Sequence, residues 1–200
     1  MIVRDVMTTA VETVGPDTPV HTALARLAER GFTALPVVDE DGRLVGIVTE
    51  ADVLRDRVRH DVHSREVHAE IDAHPPQLVG AVMSTDVMTV DPWTDVAELE
   101  RRMRDTGFRS VPVVEPDTGL VGIVSRRDIM RALDRTDGQI AADVRAALAD
   151  YAGRGRWDVL HVTGGVVVLG DPYDLPEERH AAAVVAAGVP GVVDVRIVPA

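Results

Sequence analysis

One segment of this chain occurs twice. Residues 3–55 return as 79–131, about 76 positions on and without a gap. Val3–Met7 recurs as Val79–Met83, Gly31 and Phe32 as Gly107 and Phe108, Pro36–Val38 as Pro112–Val114, and Leu44–Val48 as Leu120–Val124. Roughly 24 of 53 aligned positions are identical, far above chance for an internal repeat. So short a unit cannot bury much apolar surface alone, so the two copies are expected to pack on each other. A pair related by a pseudo-twofold axis has clefts between its halves, and small ligands bind in clefts.

Each copy predicts the order β-α-β-β-α. Val11–Val14 reads as a short apolar strand. Pro16–Pro19 turns the chain into a helix, with Asp17 or Thr18 as cap and Pro19 in the first turn. Val20, Ala23, Leu24 and Leu27 share one face of that helix, and Gly31 follows where a terminating glycine is expected. Leu35–Val38 and Leu44–Val48 read as strands around the Asp39–Gly42 turn, and a second helix starts near Thr49. After residue 135 the pattern changes. A helix carrying Ile140, Val144 and Leu148 on one stripe precedes strands at 157–163 and 166–169, a helix from Pro176 and a last strand at 192–198. This α-β-β-α-β segment is just large enough to fold alone. The fold class expected is mixed α/β (α+β), with two repeats at 1–58 and 79–134, a charged linker at 59–78 and a small domain at 137–200.

Composition removes several kinds of chemistry. The chain has no cysteine, which excludes thiol nucleophiles, disulfides and cysteine metal sites. Every basic residue is arginine, so a phosphate-loop lysine and a Schiff-base lysine are excluded. None of the four serines stands in a G-x-S-x-G elbow. A net charge of −12 argues against a nucleic-acid partner and against simple electrostatic binding to anionic lipid. No apolar run has transmembrane length and no signal-peptide pattern opens the chain, so the cytoplasm is the expected compartment. In the linker, His60, His63, His68 and His74 lie among Asp61, Glu66, Glu70 and Asp72. His63, Glu66 and Glu70 could share a helix face as metal ligands. Irregular spacing and the lack of soft ligands favour a solvated connecting helix stopped by Pro75 and Pro76, with no metal.

The most informative local pattern closes each repeat: Gly46 to Asp52, then Gly122 to Asp128. A strand ends, a hydroxyl follows (Thr49, Ser125), and a carboxylate stands three residues later (Asp52, Asp128). In a single copy, helix capping would account for both groups. In a repeated cleft, the same groups suit a nucleoside phosphate. The hydroxyl and free helix N–H groups face phosphate, the acid accepts hydrogen bonds from ribose, and apolar strands enclose a base.

These residues resemble CBS motifs, and the pair resembles a CBS-pair (Bateman) module. The resemblance rests on Val6 and Met7 with Val82 and Met83, Thr13 and Val14 with Thr89 and Val90, Ala34–Val38 with Ser110–Val114, and both G-h-h-[ST]-x-x-D runs. It implies an adenosyl ligand, such as AMP, ADP, ATP, NAD or S-adenosylmethionine, and homodimerisation through helices. By position, Asp52 and Asp128 would hold ribose, and Thr49 and Ser125 phosphate. Met7, Val11, Phe32 and Thr33 would wall one base slot, and Met83, Val87, Phe108 and Arg109 the other. Repeat two carries Arg109, Arg126 and Arg127 where repeat one has Thr33, Glu50 and Ala51. Its site is therefore expected to take the more anionic nucleotide, because arginines make charge-assisted bonds to phosphate. Surface ion pairing is the other reading of these arginines.

Residues 137–199 resemble a BON domain through the Ile140, Val144 and Leu148 helix, Gly164–Gly170, and Val189–Val195. That family implies phospholipid or small-ligand binding and self-association. Asp171 and Pro172 depart from its pattern, and the Val-rich strands also read simply as a core. The function expected is a nucleotide-binding regulatory protein with no catalytic constellation and no required cofactor. The alternative is an adaptor or membrane-peripheral protein in which the BON-like domain carries the interaction and the repeats mainly dimerise.

Overall fold

The computed structural model describes residues 1–55, 76–153, 157–171 and 175–199. The linker histidines and carboxylates and Pro172 lie outside the described residues. The chain divides into two compact units, Ile2–Arg126 and Arg127–Ala200.

In the first unit, repeat one contributes α1 (Val20–Arg30), β1 (Ala34–Val38), β2 (Leu44–Thr49) and α2 (Glu50–Leu54). Repeat two contributes α3 (Val96–Thr106), β3 (Ser110–Glu115), β4 (Gly119–Ser125) and the start of α4 (Arg126–Leu133). Each β-pair is an antiparallel hairpin, and the two registers match position for position: Pro36 faces Ile47 as Pro112 faces Ile123. Gly31 and Gly107 terminate α1 and α3 in the left-handed region, at φ 64° and 78°, where a side chain would be strained. Val20, Ala23 and Leu27 turn into a core with Leu35, Val37, Val48 and Val53.

Two expectations change. The strand at 11–14 contracts to one residue, Val14, bridged in parallel to Val37; Val90 and Val113 repeat this. The backbone groups of Val11 and Thr13 that have partners here go elsewhere. The Val11 N–H donates to the Thr9 carbonyl at 3.0 Å, and the Thr13 carbonyl accepts from the Arg26 guanidinium at 3.0 Å. Pro19, rather than Asp17 or Thr18, caps α1; the Thr18 hydroxyl instead accepts from the Gly15 N–H. In repeat two the cap is Asp95, whose carboxylate accepts from the Ala97 N–H at 2.7 Å.

The repeats also exchange their opening segments. Val3 and Arg4 donate backbone hydrogen bonds to Thr94 and Pro92, and Thr8 forms a bridge with Ile123 of β4. Reciprocally, Val79 and Gly80 donate to Thr18 and Pro16, and Ser84 bridges Ile47 of β2. Val79, with no exposed surface, belongs to the repeat-one core, against which Met83 and Phe32 also pack.

The second unit follows the order α-β-β-α-β after α4. It contains α5 (Asp137–Ala152), β5 (Asp158–Thr163), β6 (Val166–Asp171), α6 (Pro176–Ala187) and β7 (Asp194–Pro199). The sheet order is β5-β6-β7, with β5 antiparallel and β7 parallel to β6. Ile140, Val144 and Leu148 of α5 are buried against Val159, Val167, Leu169 and the small residues Ala182 and Ala186 of α6. Buried Asp171 is paired with Arg179. Among the described residues, no helix is long and apolar enough to cross a membrane.

Candidate functional site

Strand β2 delivers a hydroxyl and a carboxylate to one point. Its last residue, Thr49, is the N-cap of α2, and Asp52 sits one turn later. One Asp52 oxygen accepts from the Thr49 N–H at 2.9 Å and from the Thr49 hydroxyl at 2.7 Å. Asp52 is only 7% exposed, and its other oxygen has a 3.5 Å contact with the Arg55 guanidinium. Capping is therefore a real role of this pair. It leaves one carboxylate oxygen held by a long contact to an exposed arginine, which a better donor can displace.

The opening segment of repeat two lies along β2. A Cβ built on Gly46 would fall 2.6 Å from the Met83 sulfur and 3.1 Å from the Ser84 carbonyl oxygen. Gly122 stands in the same relation to Met7, at 2.7 Å from its sulfur, and to the Thr8 carbonyl oxygen, at 3.3 Å. Each glycine thus admits the other repeat's methionine. Beyond Met83, at the opposite end of β2 from Thr49, is a cleft of about 380 Å³. Arg43 and Val45 of repeat one line it, with Thr85, Val87 and Thr89 of the exchanged segment and Glu115 of the second hairpin.

A second cross-repeat contact lies where β1 and β3 begin. The Thr33 and Ser110 hydroxyl oxygens are 2.6 Å apart. Beside them the Arg109 guanidinium lies 3.9 Å from the carboxylate of Glu50, the first residue of α2. The Glu50 and Arg126 N–H groups donate to the carbonyls of Thr33 and Arg109, at 3.5 and 3.0 Å.

The CBS domain family model matches residues 3–59 and again 79–135, together more than half of the chain. The chain belongs to the CBS-domain family. An uncharacterised 17.7 kDa protein of Acidianus ambivalens is 32% identical over 131 residues, covering 66% of this chain and 72% of that protein. The chloroplastic CBS domain-containing protein CBSX2 of Arabidopsis thaliana is 31% identical over 135 residues, covering 60% of this chain but only 57% of its own length. Among solved structures, CBSX2 in complex with AMP has a TM-score of 0.53 at 30% identity, covering 66% of this chain and 94% of that one. The CBS domain pair of protein MJ0100, in complex with 5′-methylthioadenosine and S-adenosyl-L-methionine, has a TM-score of 0.54 at 26% identity, with the same coverage. The fold is thus the mixed α/β fold of a CBS pair.

Against this frame of a CBS pair, the expected site residues regroup. Met7 packs on Gly122 of the repeat-two strand β4, while Met83 packs on Gly46 of β2, which ends in Thr49. The exchange of opening segments is the cause. Val87 lines the cleft, Val11 is half-buried, Phe32 packs on the repeat-one core, and Phe108 is exposed. Arg109 reaches Glu50 of repeat one, and Arg126 donates to the Met103 carbonyl at 2.8 Å. Arg127 and Asp128 belong to α4, where Arg131 lies 3.3 Å from the Asp128 carboxylate. Ser110 escaped the sequence reading. The available signal was a hydroxyl where repeat one has Ala34. Among the described residues, no group of three or more histidines and carboxylates is placed to hold a metal.

Proposed function

We propose that this protein is a regulatory sensor that binds an adenosyl compound between its CBS repeats. The observation that carries the reading is the buried Asp52 carboxylate, fixed by Thr49 at the end of a strand along which the other repeat lays Met83 and its following segment. In this reading Asp52 accepts hydrogen bonds from the ribose hydroxyls, displacing Arg55. The Thr49 hydroxyl meets the 5′ substituent, with Thr33 of the same repeat beside it and Arg109 facing it from across the axis. Met83 and Phe32 enclose the base. Ser125 and Asp128, with Met7, Val11, Phe108, Arg126 and Arg127, repeat the same residue pattern for a second nucleoside. The complexes of CBSX2 with AMP and of MJ0100 with methylthioadenosine and S-adenosylmethionine support the ligand class. The role in this reading is binding rather than catalysis, in keeping with the CBS domain-containing proteins that the chain resembles.

The element order of residues 137–199 supports a BON-like interaction domain as the output partner, with the CBS helices forming a homodimer. Ligand would then act by favouring one arrangement of the assembly over another. A thermal-shift screen of the full chain with AMP, ADP, ATP, NAD and S-adenosylmethionine tests the reading, because a ligand of the native state alone raises its stability. At least one of these compounds is expected to raise the melting temperature, and Asp52→Ala to remove part of the rise. No shift with any of them contradicts the sensor reading. Sedimentation with phospholipid vesicles, by contrast, would favour the membrane-peripheral alternative.

A further inference from the structure

We infer that Glu50 selects ligands by charge at the repeat-one site, disfavouring phosphorylated nucleosides and favouring neutral or cationic adenosyl compounds. The inference rests on the binding reading above and adds the ligand class. Glu50 immediately follows Thr49, and its carboxylate meets Arg109, which the binding reading sets against the 5′ substituent. Of the cations nearby, Arg55 is in contact with Asp52 and Arg109 with Glu50. The Arg109 contact crosses between the repeats, and its position is set by backbone bonding. The Arg109 carbonyl accepts from Arg126, and the Thr33 carbonyl accepts from Glu50 itself.

Glu50 therefore acts twice against a phosphate. It repels the incoming anion, and it occupies the guanidinium that would neutralise it. An uncharged 5′ group meets neither obstacle, and a sulfonium gains from the carboxylate. The repeats supply a comparison within the chain, because Arg126 stands at the position equivalent to Glu50. A single charge about 4 Å from another in water changes an affinity by about fivefold, and charge reversal should about double that effect in free energy. Both side chains are half or more exposed, so the solvated limit applies.

The test compares the ratio of adenosine to AMP affinity, by calorimetry on the full chain, for the native protein, Glu50→Gln and Glu50→Arg. The exposed position of Glu50 lets all three fold, which matching thermal unfolding without ligand verifies. The expected result is a graded shift toward AMP, about fivefold for Gln and more for Arg, weakened at high salt and absent when Asp52→Ala is added. An unchanged ratio, with adenosine still bound, overturns the selection by Glu50 but leaves the binding site standing. Failure of the native protein to bind either compound overturns the binding reading itself, and this inference with it.

Discussion

At Gly46 the fold has no room for a methyl group. The Met83 sulfur could swing aside, but the Ser84 carbonyl could not, because it accepts the Ile47 N–H at 2.9 Å in the inter-repeat bridge. Gly46→Ala should therefore cost about 1–3 kcal/mol of stability, as overpacking does. Adding Met83→Ala should recover only part of it; urea titration of both variants measures this. Thr49 gives a second residue-scale prediction. Its hydroxyl and N–H both serve Asp52, so Thr49→Ala should cost about 1 kcal/mol while Thr49→Ser costs little. A larger loss of ligand affinity than of stability in Thr49→Ala would separate binding from capping. The hydroxyl and acid were legible in the sequence because their spacing recurs. Their capping bond and their ligand role use the same atoms, so spacing alone could not rank the two.

Among the elements, helices and hairpins were the most legible. The apolar stripe of α5 and the two hairpins stand where periodicity and turn residues put them. The strand at 11–14 was overread. Its alternation is that of a strand, but Val14 makes the bridge to β1 while turn and side-chain partners take the Val11 N–H and the Thr13 carbonyl, which no local pattern encodes. The exchanged opening segments were illegible for a different reason. Two nearly identical repeats offer nearly identical sheets, so the sequence of Val3–Met7 does not say which sheet it joins. In the second unit, Asp137 ties the first turn of α5 to the β5–β6 turn by accepting from the Gly164 and Gly165 N–H groups, each at 2.9 Å. These bonds, chiefly that from Gly165, favour the ionised form and hold the Asp137 pKa below its ordinary value. The stabilisation is thus fully present above the unfolded-state pKa of about 3.9 and fades as pH falls from there through the lowered folded value. Asp137→Asn should flatten that acid limb in urea titrations between about pH 5 and 2. An unchanged slope would show that the turn contact contributes nothing.

At the scale of the whole molecule, the two units have separate cores, one built on α1 and its hairpin and the other on α5, α6 and their sheet. The two tryptophans divide between them. Trp93 is exposed beneath the Arg4 guanidinium, and Trp157 is buried in the second core. A Trp93→Phe protein should therefore report unfolding of the second unit alone by fluorescence. An adenosyl ligand is expected to raise the melting temperature seen by calorimetry for the CBS pair and to leave the Trp157 transition in place. Equal shifts in both signals would mean that the units unfold together.

The account turns on whether Asp52 holds a nucleoside. Isothermal titration with adenosine should show saturable binding to the native chain, with Asp52→Asn losing at least tenfold in affinity at the repeat-one site. Asn can still accept from Thr49, so that variant should keep its fold. Adenosine affinity unchanged in a folded Asp52→Asn protein would contradict the account and leave Thr49 and Asp52 as a helix cap alone.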